Sequence, residues 1–136
     1  MEVKSVPFEY SFSAGTTAVG TSVVLIAKAP TDALGGGITV LDAFVMSPDT
    51  IATGSAPTVR ILRYSSGAVV EGTIGSQTAG TGGWTAGTPK TFTISDPFVD
   101  AGEYIAIEFA GTAANAGTAY TQGIHLVGAI NVQMGQ

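Results

Sequence analysis

The sequence predicts an all-β fold: one antiparallel β-sandwich of jelly-roll type with about eight strands. Three observations support this. Apolar and polar residues alternate with period two in several short segments rich in β-branched and aromatic residues. Stretches rich in Gly, Pro, Ser and Asp separate these segments and predict turns. No segment predicts a helix, because the alanine-rich stretches contain too many glycines to propagate one. A length of 136 residues corresponds to one domain, residues 1–136.

The clearest strand signal lies in Phe98–Phe109. Asp100–Gly102 predicts a turn, since glycine adopts a positive φ without strain. Beyond it, Ile105, Ile107 and Phe109 fall on one face of an alternating strand. A lone strand cannot bury that face, so other sheet segments must cover it.

The remaining strands follow from the same signals. Asp42 interrupts an apolar face, which predicts a β-bulge or an exposed stretch nearby. The run Ser22–Ala29 is apolar up to Lys28, which favours a strand covered on both faces. The first and last strands are predicted to be sheet edges, and Pro7 suits an edge because it lacks an N–H. The predicted strands are Val3–Phe12 (regular from Pro7 onward), Ser22–Ala29, Ile38–Ser47, Thr58–Tyr64, Ala68–Ile74, Thr91–Ser95 and Ile124–Val132.

Charge is scarce in this chain and excludes several kinds of partner. Charged residues make up 11% of the sequence against an apolar share of 45%, so the surface must be neutral and polar or covered by other chains. The net charge is −5, and the five cations form no cluster that could neutralise phosphates, which argues against nucleic acid. The absence of cysteine excludes disulfides and cysteine-based zinc sites.

The N-terminal residues and the hydropathy pattern bear on localisation. The first residues contain no apolar core of a secretory signal. The longest nearly apolar run, Val23–Ala29, is too short to span a bilayer. We therefore expect no membrane partner and a protein that is made and kept in a cytoplasm, unless it is released by another route.

No residue set predicts catalysis or a cofactor. His125 is the only histidine and no nucleophile-elbow motif accompanies it, which favours a surface or interface histidine. Asp96, Asp100 and Glu103 lie close enough in sequence to suggest oxygen ligands for calcium. They lack the order of an EF-hand, and acidic residues beside Pro and Gly are more often turn formers. We expect no metal, no cofactor and no catalytic residue.

Trp84 is the most informative single residue outside the strands. It lies in a glycine-rich stretch, where its indole could stack on a sugar or anchor a protein interface. Alternatively the loop folds back and the indole caps the core. The sequence does not distinguish these two interpretations.

Three stretches share the arrangement of strands and turns found in a known family of proteins. They are GTSVVLIAKAP, ALGGGITVLDAFV and TPKTFTISDPFVDAGEYIAIEF. They resemble the small trimeric jelly-roll cement (decoration) proteins of tailed-bacteriophage capsids. The resemblance implies a non-enzymatic virion protein on the capsid surface. Such a protein binds the major capsid protein between capsomers and stabilises the head against internal DNA pressure. The resemblance covers most of the chain but contains no diagnostic motif, so it implies no site residues.

The candidate partner-binding residues are Val3, Val6, Pro7, Phe8 and Trp84. Residues 1–7 are expected to form an extended arm that adds a strand to a neighbour or to the capsid, or else a disordered tail. Edges without blocking charges favour a symmetric homo-oligomer, and the family resemblance makes it a trimer. The alternative function is a carbohydrate- or receptor-binding module of a phage tail fibre, with Trp84 or Tyr120 as its stacking platform.

Overall fold

The computed structural model describes residues 3–12, 21–31, 36–48, 50, 58–77, 84–110 and 124–134. These residues form nine strands and no helix, which confirms the predicted all-β class. Accordingly, none of them belongs to a helix long and apolar enough to cross a membrane. The strands are β1 (Val3–Phe12), β2 (Thr21–Lys28), β3 (Ile38–Met46), β4 (Thr58–Tyr64), β5 (Val70–Gln77), β6 (Lys90–Ile94), β7 (Phe98–Val99), β8 (Tyr104–Ala110) and β9 (Ile124–Met134).

The strands pair in a nested antiparallel order. β1 pairs with β9, β2 with β8, β3 with β6 and β7, and β4 with β5. Two further ladders, β3 with β9 and β4 with β8, join these pairs into two sheets. One sheet runs β1–β9–β3–β7 and the other β2–β8–β4–β5, while β6 pairs with both β3 and β5 and closes one side. This double-sheet arrangement is the predicted jelly roll.

The core lies between the two sheets. Ile105, Ile107 and Phe109 of β8 are each 1% exposed or less, as the alternation predicts. From the opposite sheet, the rings of Phe8 and Tyr10 lie 6.0 and 4.7 Å from that of Phe109, centroid to centroid. The strand with the clearest sequence signal is therefore central in its sheet and receives the aromatic side chains of β1.

The turn before β8 has the predicted form. Gly102 has φ +84°, and the Glu103 N–H donates to the Asp100 carbonyl at 3.0 Å. Any other residue at position 102 would have to adopt this left-handed conformation, which is strained for residues with a Cβ, so glycine suits the position.

From Val3 onward the N-terminal segment is part of the sheet rather than an arm. Val3 lies opposite Gln133 and Pro7 opposite Ala129 in a continuous ladder with β9. Val6 and Phe8 pack against the core, which fixes the register of the strand. The expected arm is thus corrected for residues 3–7, whereas the edge position of Pro7 is as predicted.

Two strands occupy positions that the sequence does not predict. β2 is the terminal strand of its sheet, and Val23, Val24 and Leu25 are 40%, 37% and 46% exposed rather than covered on both faces. β9 is not an edge, because it lies between β1 and β3. An apolar run shows that a strand is hydrophobic but does not show which neighbours it acquires.

The bulge predicted at Asp42 is present. The register of β3 against β9 shifts between Val40 and Asp42, which leaves Leu41 unpaired. The shift keeps Val40 and Ala43 in the core while Asp42 is exposed.

Candidate interaction surfaces

The structure separates the predicted partner-binding residues. Val3, which is 60% exposed, and Pro7 lie on the outside of β1. Val6 packs against the core, and Phe8 and Trp84 belong to it. Val3 and Pro7 are therefore the members of the set that a partner can reach.

Val3 and Pro7 belong to a broad surface, which we call the outer face: the outward side of β1, β9 and β3. The pairing registers align its residues in rows across the three strands. These rows are Ser5–Asn131–Asp42, Pro7–Ala129–Phe44 and Glu9–Val127–Met46, with Val3–Gln133–Thr39 and the pair Ser11–His125 at the ends. Glu9, Asp42 and His125 are the ionisable members of these rows, so the outer face carries few charges and none of them is a lysine or an arginine.

Asp42 is held in its row by a neighbour. The Asn131 Nδ2 donates to Asp42 Oδ1 at 2.6 Å. The carboxylate also borders an open cavity of about 430 Å³ between β3 and β6, lined by Asp42, Ala43, Phe44, Pro89, Thr91 and Phe92. Asp42 is the one carboxylate in that lining, whereas glycoside hydrolysis needs two that face each other.

His125 lies on the outer face beside Ser11 and Glu9. Ser11 Oγ is 2.7 Å from His125 Nδ1, while Glu9 Oε2 is 3.8 Å from Nε2. The second distance is too long for a hydrogen bond that would orient the imidazole, and the Glu9 side chain is 77% exposed. The group is an exposed cross-strand contact, which agrees with the prediction of a surface histidine.

Trp84 is buried, at 1% exposure, and is among the largest fully buried side chains described. The Gly87 N–H donates to the Ser47 carbonyl at 2.8 Å, which fastens this stretch to the end of β3. Lys90 Nζ lies 5.7 Å from the indole ring centroid. The structure thus corresponds to the interpretation in which the indole caps the core. Tyr120, the other proposed stacking residue, lies outside the described residues.

Acidic residues surround Arg63 at one end of the sandwich, and we call this group the acidic cluster: Glu71, Asp96, Asp100 and Glu103. Arg63 Nη1 lies 2.7 Å from Asp96 Oδ2, and Arg63 Nε lies 3.9 Å from both Glu71 Oε2 and Glu103 Oε1. Glu103 Oε1 also accepts the Asp100 N–H at 2.8 Å. Two of the three residues considered as calcium ligands, Asp96 and Glu103, thus contact the Arg63 guanidinium. The described part of the chain contains no group of three or more His, Cys, Asp or Glu placed to hold a metal.

Within the acidic cluster, the pKa of Glu71 is raised above its ordinary value. Its side-chain hydrogen bond with Glu103 raises the pKa of Glu71, and desolvation and the charge of Glu103 raise it further. The attraction of Arg63 acts in the opposite direction and is the smaller effect. Glu71 therefore holds its proton more tightly than an isolated glutamate does.

The outward side of β2, β8 and β4, which we call the second face, carries an apolar row that the sequence does not predict. Leu62, Ala106 and Leu25 lie side by side across the three strands. Leu62 and Ala106 are 3% and 0% exposed, although alternation places both on the outward side. The row is flanked by Arg60–Glu108–Val23 and by Tyr64–Tyr104–Lys28.

Comparison with known proteins bears on the fold. The chain resembles one in the capsid asymmetric unit of cyanophage Pam1, with TM-score 0.56 and 19% identity, covering 97% of this chain and 84% of that one. This protein has a viral-capsid-like β fold. It also resembles chains of infectious bursal disease virus, strains Gt and Gx, each with TM-score 0.50 and 14% identity. The matched region covers 98% of this chain but only 32% of each of those chains. The sequence matches no protein-family model and no curated protein.

Proposed function

We propose that this chain is a non-enzymatic structural protein of a virion, a cement protein that binds the major capsid protein between capsomers at the capsid surface. The likeness to a chain of the Pam1 capsid asymmetric unit carries this proposal. It extends over 97% of this chain and 84% of the other, so the two are comparable in length as well as in fold. Fold alone does not determine function, and the surfaces must fit the role.

The cations of the chain favour a protein partner over nucleic acid. Arg60 contacts Glu108, and Arg63 contacts Asp96, each with a nitrogen–oxygen distance of 2.7 Å. Lys28 and Lys90 lie over the rings of Tyr104 and Trp84, at 5.6 and 5.7 Å from the centroids. These four charges are engaged within the chain, whereas binding to a nucleic acid backbone requires cations that can face phosphates.

We assign capsid contact to the outer face. Its rows carry few charged side chains and span three paired strands, which suits contact with another protein. Val3 and Pro7 lie at its β1 border, where the sheet ends and a neighbouring subunit can approach. By the family resemblance, the protein binds as a trimer that seats this face on the junctions between capsomers.

The tail-fibre alternative has less support. It depended on Trp84 or Tyr120 as an exposed aromatic platform. The Trp84 indole is 1% exposed, and Tyr120 lies outside the described residues. Binding to a glycan array by the purified protein would restore that alternative.

The proposal is tested on particles of the virus that encodes this sequence. Mass spectrometry of purified virions should find the protein at a copy number that follows the capsid lattice. Its absence from the particles, or a few copies per particle, contradicts a cement role.

A second experiment tests the outer face. Capsids lacking the protein are incubated with the purified protein, and occupancy is measured. Pro7→Glu places a charge on the outer face, and we expect it to reduce occupancy. Val70→Glu, on an exposed residue of β5, is the matched control and should bind normally. Equal loss in both variants would contradict the assignment of this face.

A further inference from the structure

The free edge of β2 is unlike the edge formed by β1. In the described part of the chain β2 forms a ladder with β8 alone, so its other side has unpaired backbone groups. Val23, Val24 and Leu25 on this strand are all more than one-third exposed. We infer that this edge binds a second copy of the chain, β2 against β2, antiparallel and about a two-fold axis at Val24.

The β1 and β2 edges differ in how well their residues block the addition of another strand. β1 carries Pro7, which has no N–H to donate, and the charged residues Lys4 and Glu9. Such residues discourage the addition of a strand. β2 has no proline, and from Thr21 to Ala27 it has no charged residue. An uncharged edge with exposed apolar side chains is a template for strand addition.

The register follows from the positions of the exposed residues. Val23 and Leu25 lie opposite Glu108 and Ala106, whose side chains are on the second face, whereas Val24 lies opposite the inward-facing Ile107. In an antiparallel pair, residues directly opposite point to the same side of the sheet. A two-fold axis at Val24 therefore places Val24 opposite itself and Val23 opposite Leu25 of the other copy. The three exposed residues then cover one another.

The apolar row of the second face gains from the same register. Leu62, Ala106 and Leu25 lead across the sheet to the β2 edge, where the row ends. In the pair, the Leu25 side chain of one copy lies beside Val23 of the other, so the row gains one apolar member at the interface. Cross-strand apolar contacts of this kind stabilise a sheet.

The self-complementary register around Val24 identifies a second copy as the occupant, and the distribution of charge sets the direction of the pairing. The acidic cluster lies at the carboxyl end of β2, where the Ala29 N–H donates to the Glu103 carbonyl at 2.8 Å. The segments that precede β2 and follow β8, residues 13–20 and 111–123, contain no charged residue. Antiparallel pairing sets the acidic end of one copy against the uncharged end of the other. Parallel pairing would set the two acidic clusters and the two Lys28 side chains side by side.

This contact is separate from the proposed attachment to a capsid. It uses the β2 edge, whereas the outer face is formed by β1, β9 and β3. A two-fold contact through β2 is compatible with a trimer formed elsewhere, since the two contacts together give an assembly with an even number of copies.

Cysteine cross-linking tests the register, because the chain contains no native cysteine. Under mild oxidation Val24→Cys should form a disulfide-linked dimer at least about tenfold faster than Val70→Cys, since facing residues of an antiparallel pair meet the distance limits of a disulfide. Val70 is the control because it is more exposed, at 54%, and lies on β5. A mixture of Val23→Cys and Leu25→Cys should cross-link faster than either variant alone. Equal rates for Val24→Cys and Val70→Cys overturn the proposal.

Light scattering tests the contact in the unmodified protein. We expect the assembly to contain an even number of copies. Val24→Lys would place two lysines face to face at the contact, so we expect this variant to form an assembly with half as many copies. Val70→Lys should leave it unchanged, and circular dichroism should show that both variants keep the fold. A monomer or a trimer for the unmodified protein overturns the β2 contact, whatever the virion experiments show.

Discussion

Phe8 of β1 lies directly opposite Gly128 of β9, and its ring occupies the space that a side chain at Gly128 would need. A Cβ at position 128 would lie 2.6 Å from Phe8 Cζ and 2.2 Å from the Phe44 carbonyl oxygen. The missing side chain at Gly128 thus lets β1, β9 and β3 pack at their observed spacing. Phe8 reaches past it to Phe109 in the opposite sheet, at 6.0 Å between ring centroids.

Gly128→Ala should therefore destabilise the protein strongly. The backbone oxygen of Phe44 cannot move without disturbing the β3–β9 ladder, so we expect a loss of about 3 kcal/mol or more in the free energy of unfolding. Chemical denaturation measures it. Gly72→Ala is the matched control, since its nearest neighbour is the flexible end of Arg63 at 3.6 Å. Similar losses for the two variants would contradict this packing.

Truncation of Trp84 should reduce stability in the isolated protein. The indole is 1% exposed and belongs to the core, so Trp84→Ala should cost about 3–5 kcal/mol in the free energy of unfolding. Val69→Ala, at a residue 63% exposed, should change it by less than about 0.5 kcal/mol. If Trp84→Ala left the isolated protein stable and weakened only its assembly, the indole would be an interface anchor and not a core residue.

Eight of the nine described strands were predictable because each leaves a local signal, whereas β7 is only two residues long and shows no alternation. Alternation in Tyr104–Ala110 identifies its buried face, and the charge of Asp42 within an apolar face identifies the bulge at Leu41. Both signals lie within a few consecutive residues, so one sequence is enough to detect them.

The sheet edges were not predictable, because the order of strands depends on contacts between distant segments. β9 lies between β1 and β3, and β2 ends its sheet, yet both have apolar faces. The burial of Trp84 was also undetermined, since a glycine-rich stretch has no periodicity that shows which way it folds. Leu62 and Ala106 face outward and are buried all the same, which alternation cannot reveal.

The β4–β5 turn contains a strained residue. Ala68 has φ 63°, in the left-handed region, and its N–H donates to the Ser65 carbonyl at 2.8 Å. A non-glycine residue there costs about 1 kcal/mol, so Ala68→Gly should raise the free energy of unfolding by about 0.5–1 kcal/mol. Gly67→Ala is the control, because a Cβ there has room, with Ser65 Oγ at 3.8 Å. A loss of stability in Ala68→Gly would show that the turn is not strained.

The pair Glu71 and Glu103 should make stability depend on pH. The hydrogen bond between the Glu71 and Glu103 side chains raises the pKa of Glu71 above its ordinary value of 4.5. The folded protein therefore binds the Glu71 proton more tightly than the unfolded chain does. The contribution of Glu71 to stability is therefore fully present below pH 4.5 and is lost as pH rises through the folded pKa. Glu71→Gln keeps a donor to Glu103 and removes the charge, so it should raise the melting temperature at pH 7.

The difference between Glu71→Gln and the unmodified protein should shrink as the pH is lowered, because Glu71 becomes protonated and the two side chains then carry the same charge. Thermal unfolding at several pH values measures it, with Glu9→Gln as the control on an exposed carboxylate far from the acidic cluster. Arg63 Nε lies 3.9 Å from Glu71 Oε2 and attracts its charged form. If that attraction outweighed the repulsion from Glu103, Glu71→Gln would lower the melting temperature at pH 7, and the raised pKa of Glu71 would be wrong.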